Sequence, residues 1–141
     1  MLSYKKGSVI QATEEVIAHG CNCQNVMGAG VAKAIRAEYP EAFTVDKRAY
    51  FAKTNEPGSF SFVYARGKFI FNLYTQKQPG PNANLHYIEK AIAGLEKKLP
   101  NVTKLNQVAI PRIGCGIGGL DWNDVSQILE KSTINFVVYD I

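Results

Sequence analysis

Apolar and polar positions along the chain alternate between two periods. Short runs rich in β-branched and aromatic residues, bounded by turn formers, predict strands at Leu2–Lys5, Val16–Cys21, Ser61–Tyr64, Phe69–Tyr74, Gln107–Ile110 and Phe136–Tyr139. Tyr64 and Phe69 flank Ala65-Arg66-Gly67-Lys68, which reads as a hairpin turn. Leu85, Ile88, Ile92, Leu95 and Leu99 recur at steps of three and four, which predicts a helix with one face against a core and a stop at Pro100. A second helix starts at Asp121, whose side chain can cap it; Asp124 suits the positive helix end, and Val125, Ile128 and Leu129 form the buried stripe. Val31–Tyr39 reads as a third, ended by Pro40. Strands alternating with helices, and the apolar run Val108-Ala109-Ile110 leading into a glycine loop, predict an α/β layered sandwich with a partly parallel sheet.

At 141 residues the chain fits one domain, residues 1–141, because roughly 100 to 200 residues form one core. Hydrophobic residues at 46% and charged residues at 20% are ordinary for a globular protein and exclude disorder and fibrous classes. The turn-rich stretch Gln78-Pro79-Gly80-Pro81-Asn82 is too short to link two domains. Lys5 and Lys6 interrupt the N-terminus before any long apolar run, so neither a signal peptide nor a membrane span is expected. Cys21, Cys23 and Cys115 are an odd number and read as reduced thiols, which with the missing leader predicts a cytoplasmic protein. His19 with Cys21 and Cys23 lacks the spacing and the second pair that zinc needs, so no metal is expected.

A net charge of +4 favours anionic partners and raises nucleic-acid binding as an alternative. The cations are scattered, at Lys5-Lys6, Lys47-Arg48 and Lys97-Lys98, with acidic residues among the later groups. Without an arginine stripe or interleaved aromatics, a solvated basic surface is the better reading.

Two loops carry the chemistry. Asn22–Gly30 joins a strand to a helix, with Gly28, Ala29 and Gly30 followed by Val31. Gly114–Gly119 does the same with Gly114, Cys115, Gly116, Ile117 and Gly118 after Ile113. Glycine lets backbone N–H groups approach a ligand, and the following helix end favours an anion, so phosphate is the expected guest. Neither loop is a Walker A loop, and neither opens a first βαβ unit as the dinucleotide fingerprint does. A bulky residue at Gly116 or Gly118 is expected to block the ligand and leave the fold intact.

His19–Val31 together with Val108–Trp122 resembles the macro domain family, and the resemblance runs from Tyr4-Lys5-Lys6-Gly7 to Val137-Val138-Tyr139. The pairing of Asn22-x5-Gly28-Ala29-Gly30-Val31 with Pro111-Arg112-Ile113-Gly114-Cys115-Gly116 is its specific part. The branch it looks most like contains the terminal ADP-ribose glutamyl hydrolases and the ADP-ribose 1''-phosphate phosphatases. The resemblance implies a three-layer α/β/α sandwich with a central mixed sheet, ADP-ribose or an ADP-ribosylated substrate as partner, no cofactor and a monomer. It implies that Asn22 meets the distal ribose, that the second loop wraps the diphosphate, and that Tyr139 or Phe136 borders the adenine. Ser8 and Val9 then lie at the base, where many macro domains carry Gly-Asp and this chain reads Gly7-Ser8. Thr75 and Gln76 lie near the distal ribose, where the glutamyl hydrolases carry threonine and lysine; their loop carboxylate is replaced by Gly118.

Catalytic candidates are accordingly few. Asn22 orients a hydroxyl or a water but is no base. Lys77 stands one residue late for the hydrolase lysine and substitutes for it only where the strand has already ended; otherwise it is a surface lysine. Asp121 is a base if it faces the cleft and a cap if it does not. His19, inside a strand, reads as packed and hydrogen-bonded, and His86 as surface. Cys23 and Cys115 read as loop packing, since no base accompanies either.

Overall fold

The structure, a computed structural model, describes residues 1–140. Six strands, β1 (Leu2–Lys6), β2 (Val16–Asn22), β3 (Phe60–Ala65), β4 (Lys68–Gln76), β5 (Gln107–Ile110) and β6 (Asn135–Asp140), form one sheet in the order β1-β6-β5-β2-β4-β3. Every neighbouring pair is parallel except β3 and β4, so the sheet is mixed as expected. The turn between β3 and β4 has two residues, Arg66 at φ 48° and Gly67 at φ 82°. That doubly left-handed pair matches the right-handed twist of the strands it joins.

Helices α1 (Gly30–Glu38) and α2 (Pro40–Ala52) cover one face, and α3 (Leu85–Lys98) and α4 (Trp122–Lys131) the other. Strand side chains alternate between the two cores. Val16, Ala18, Val108, Ile110, Phe136 and Val138 meet Ile88, Leu95, Val125 and Leu129, whereas Ile17, Ala109, Val137 and Tyr139 meet Ile35 and Ala42. Parallel strands buried on both faces read as apolar runs, unbroken in β5 and β6 and interrupted by the buried His19 in β2 and Asn72 in β4, which is why they were legible.

Helix α2 was not predicted. Pro40 does terminate the preceding helix, but it also starts the next at its first position, where a missing N–H costs nothing. The buried residues of α2 are Ala42, Asp46 and Ala49. A stripe of two alanines and a carboxylate carries almost no hydrophobic signal, so periodicity could not report it.

One irregularity points at the site. Cys21 pairs with Tyr74 but Asn22 pairs with Gln76, so Thr75 is an extra residue on β4 at the end of β2. Such a bulge re-aims the side chains beside it. Gly20 makes room: a Cβ there would lie 3.0 Å from Thr75 Oγ1.

Candidate functional site

The carboxyl ends of β2, β4, β5 and β6 open into one cleft of about 920 Å³. This is where ligands collect in open parallel sheets. Its walls are the first glycine loop with the start of α1, the second loop, and Gln76 with Pro79-Gly80; its far end is Ser8–Ile10, Tyr139 and Asp140.

The first loop is shaped by Asn22. Its Oδ1 accepts from the backbone N–H of Gln24 (2.9 Å) and Val26 (3.5 Å), and its Nδ2 donates to Val26 O (2.8 Å). The asparagine thus closes the loop on itself, and one amide proton remains for a ligand. Helix α1 then starts at Gly30, and Ala29 at its N-cap supplies no side-chain hydrogen bond. The first N–H groups of a helix have no partner within it, so this end presents donors and a partial positive charge to the cleft.

The second loop is held by its own backbone. Gly114, at φ 77°, accepts from Leu120 N (2.8 Å), and Gly116 O accepts from Gly119 N (3.3 Å). A Cβ on Gly118 would lie 2.7 Å from both Ala83 Cβ and Gly114 O, whereas one on Gly116 would meet nothing within 4 Å. The two glycines therefore do different work: Gly118 permits the loop to close, and Gly116 leaves the cleft wall bare. The loops meet at Ile117, whose Cδ1 would lie 3.2 Å from a Cβ on Gly30.

The residues expected to meet a ligand line this cleft, from Ser8 and Val9 through Asn22, Gly28–Val31, Thr75, Gln76 and Ile113–Gly118 to Tyr139, with one exception among the two rings offered for the adenine. Phe136 does not. It is fully buried among α3 and α4, because an odd separation from Tyr139 puts the two rings on opposite faces of β6. Tyr139 OH donates to Glu14 Oε1 (2.5 Å), and Lys5 Nζ pairs with Glu14 Oε2 (2.9 Å). Burial would raise the Glu14 carboxyl, but these two bonds hold it below the usual carboxylate range. Ser8 Oγ accepts from Ile10 N (3.4 Å) and so caps the short 3-10 turn Val9–Gln11.

Of the three catalytic candidates, only Asn22 lines the cleft. Strand β4 ends at Gln76, yet Lys77 is exposed and outside the lining, and its carbonyl accepts from Cys23 N (3.2 Å). Asp121 Oδ1 accepts from Asn123 N (2.9 Å) as the N-cap of α4, away from the cleft. Gln76 Nε2 is likewise tied, to the carbonyls of Gln78 (2.6 Å) and Gly80 (2.9 Å). The thiols stay protonated: burial pushes Cys21 well up, Cys23 to about 11, and Cys115 up. His19 is fully buried, and burial depresses its pKa to about 4.

Arg112 and Asp140 are lining residues that sequence reasoning left out. Arg112 Nε and Nη2 donate to the two oxygens of Asp140 (2.6 and 2.8 Å). Among the described residues that line the cleft they are the only guanidinium and the only side-chain carboxylate, and each neutralises the other. The signal available was the position of Arg112 between strand and glycine loop, opposite the last residues of β6.

The family model described as Macro domain matches residues 18–129. The chain belongs to the macro domain family. This macro domain is 36% identical over 139 residues to the DNA ADP-ribosyl glycohydrolase of Mycobacterium tuberculosis, an alignment covering 94% of this chain and 38% of that protein. It is 32% identical to an uncharacterized 17.5 kDa protein of Enterobacteria phage T4, covering 99% of this chain and 96% of that one. Among solved structures, the macrodomain of Mycobacterium tuberculosis DarG superposes with a TM-score of 0.88 at 30% identity, covering 100% of this chain and 98% of that chain. The chain thus spans well under half of the mycobacterial glycohydrolase. No helix of the described residues is long and apolar enough to cross a membrane.

Proposed function

We propose that this macro domain binds ADP-ribose in the cleft and hydrolyses an ADP-ribose derivative at the distal ribose. The observation that carries the reading is the convergence of both glycine loops and the uncapped start of α1 on one cleft. Two phosphates need many donors in a small space, and backbone N–H groups beside glycine supply them without side chains in between. Tyr139, held by Glu14, borders the base; Asn22, which lines the cleft and has one amide proton left to give, meets the distal ribose. Water adds at the phosphorus or anomeric carbon of the distal end as the bond to the leaving group breaks; the water's proton passes through solvent to a leaving ribose oxygen, or stays in solvent where the leaving group is a carboxylate.

The catalytic means are positioning and preorganised N–H donors, because among the described residues no unpaired acidic or basic side chain lines the cleft. A slow enzyme follows. The same observation favours a second reading, a module that binds ADP-ribose without chemistry. The two separate on incubation with ADP-ribose 1''-phosphate, glutamate-ADP-ribosylated protein and an ADP-ribosylated DNA oligonucleotide, the last prompted by the mycobacterial relative's name. Turnover of any one supports the enzyme; none, alongside tight ADP-ribose binding by calorimetry, selects the module, and no binding defeats both.

Two variants locate the chemistry. Lys77→Ala is expected to leave turnover within about twofold of wild type, as for surface positions generally. A loss of about 100-fold would instead make Lys77 the nucleophile that its position after β4 allows. Asn22→Ala is expected to weaken binding and turnover together, since the side chain holds the loop as well as facing the ribose.

A further inference from the structure

Behind the first loop lies a buried polar chain that the proposed chemistry does not use. Asp46 of α2 is 1% exposed, and both of its oxygens are occupied: Oδ1 accepts from Tyr74 OH (2.7 Å) and Oδ2 from Asn25 Nδ2 (2.9 Å). The chain continues from Tyr74 OH to Ser61 Oγ (2.8 Å), Asn72 Nδ2 (3.0 Å) and, through Asn72 Oδ1, His19 Nε2 (2.7 Å).

Its direction follows from the donors. Asn72 Nδ2 gives its two protons to Ala42 O (3.0 Å) and Ser61 Oγ, so Asn72 Oδ1 must accept, and His19 carries its proton on Nε2. Tyr74 gives its only proton to the carboxylate, so it accepts from Ser61. One continuous line of donors thus runs from β2 through β4 and β3 to a single charge on α2. The charge then grips a single residue of the first loop, Asn25, whose φ of 58° is left-handed. A second anchor lies beside it: Asn55 Nδ2 donates to Cys23 O (2.8 Å).

We propose that Asp46 is a positioning residue for the ligand site: by holding Asn25 in its left-handed conformation from behind, it fixes the first glycine loop against the diphosphate. The proposal rests on the ADP-ribose reading for the identity of the ligand, but the loop geometry stands apart from it. Asn22 closes residues 22–26 on themselves, and the same stretch is held from behind at Asn25 by Asp46 of α2 and at Cys23 by Asn55, which follows that helix. A carboxylate buried this deeply is costly and is tolerated because both oxygens are bonded. Burial pushes its pKa up, against the bonds from Asn25 and Tyr74.

The substitutions separate positioning from mere stability. Asp46→Ala removes the grip. Asp46→Asn keeps it, with its amide oxygen toward Asn25 and its NH2 toward Tyr74, whose hydroxyl then turns to donate to Ser61. Asn25→Gly keeps the backbone conformation without the anchor. Leu129→Ala, in α4 on the opposite face, serves as a control for lost stability.

Amide hydrogen exchange of the unliganded protein reads the loop directly. In Asp46→Ala, residues 22–30 are expected to exchange at least about tenfold faster, while Leu129→Ala leaves them unchanged and Asp46→Asn restores them. ADP-ribose affinity measured by calorimetry is expected to fall about tenfold in Asp46→Ala, to recover within about twofold in Asp46→Asn, and to fall no further in the Asp46→Ala/Asn25→Gly double variant. Equal exchange at residues 22–30 in Asp46→Ala and Leu129→Ala overturns the proposal, as do fully additive losses. A wild type that fails to bind ADP-ribose, with the loop still loosened in Asp46→Ala, defeats the ligand assignment and leaves the positioning role established.

Discussion

Replacing Gly116 with leucine is expected to lower ADP-ribose affinity by about 100-fold, the equivalent of losing two hydrogen bonds to a charged group. The thermal midpoint of the unliganded protein should stay within about 3 °C of wild type, because open surface positions tolerate new side chains. A Cβ at Gly116 meets nothing within 4 Å and its φ is not left-handed, so the added side chain enters open space at the cleft wall without displacing the fold. Gly118 behaves differently. There the Cβ lies 2.7 Å from the backbone oxygen of Gly114, so a leucine should cost roughly 1–3 kcal/mol of stability as overpacking does. The expectation from sequence that either glycine could be filled without harm to the fold therefore holds for Gly116 alone. Unchanged ADP-ribose affinity in Gly116→Leu, by calorimetry, would remove the second loop from the binding site.

The second large effect is on stability against pH. His19 is buried with a pKa near 4, whereas an unfolded chain returns it to about 6.5. Between those values the unfolded state binds the additional proton, so stability is complete above pH 6.5 and falls as the pH drops toward 4. The loss amounts to about 3 kcal/mol over that window. Urea unfolding at successive pH values measures it, and His19→Gln should flatten the slope there. Glu14 and Asp140, whose pKa values are lowered, act at lower pH, where their protonation removes further stability. Asp46 works in the opposite sense: its raised pKa favours the folded state once the carboxyl is protonated. An identical slope in His19→Gln and wild type between pH 6.5 and 4 would mean that the imidazole ionises in the fold.

The parts of this fold legible in the sequence are those built from large apolar side chains. Helix α3 shows Leu85, Ile88, Ile92 and Leu95, and β5 and β6 carry the unbroken apolar runs Val108–Ile110 and Phe136–Tyr139. Helix α2 was invisible because it packs through Ala42, Asp46 and Ala49, and only the step of four and then three between them hints at a face. The cleft was legible through its glycines, whose cost to folding demands a reason. The partners of polar groups were not. Nothing in sequence places Asp140 against Arg112, or Asp46 against Asn25, because such pairs join elements far apart in the chain. Lys77 faces solvent and Asp121 caps its own helix, the alternatives that the sequence offered beside a catalytic role for each. Parity along a strand would have set aside Phe136 in favour of Tyr139.

The mutual neutralisation of Arg112 and Asp140 also bears on how the ligand is attracted. A cleft whose charged side chains cancel offers an incoming anion only oriented peptide dipoles, which act at close range. Counterions gather around unpaired lysines and arginines, not around such dipoles, so little ionic atmosphere is displaced when the anion arrives. ADP-ribose should then be held almost as firmly in concentrated salt as in dilute buffer, despite the net positive charge of the chain.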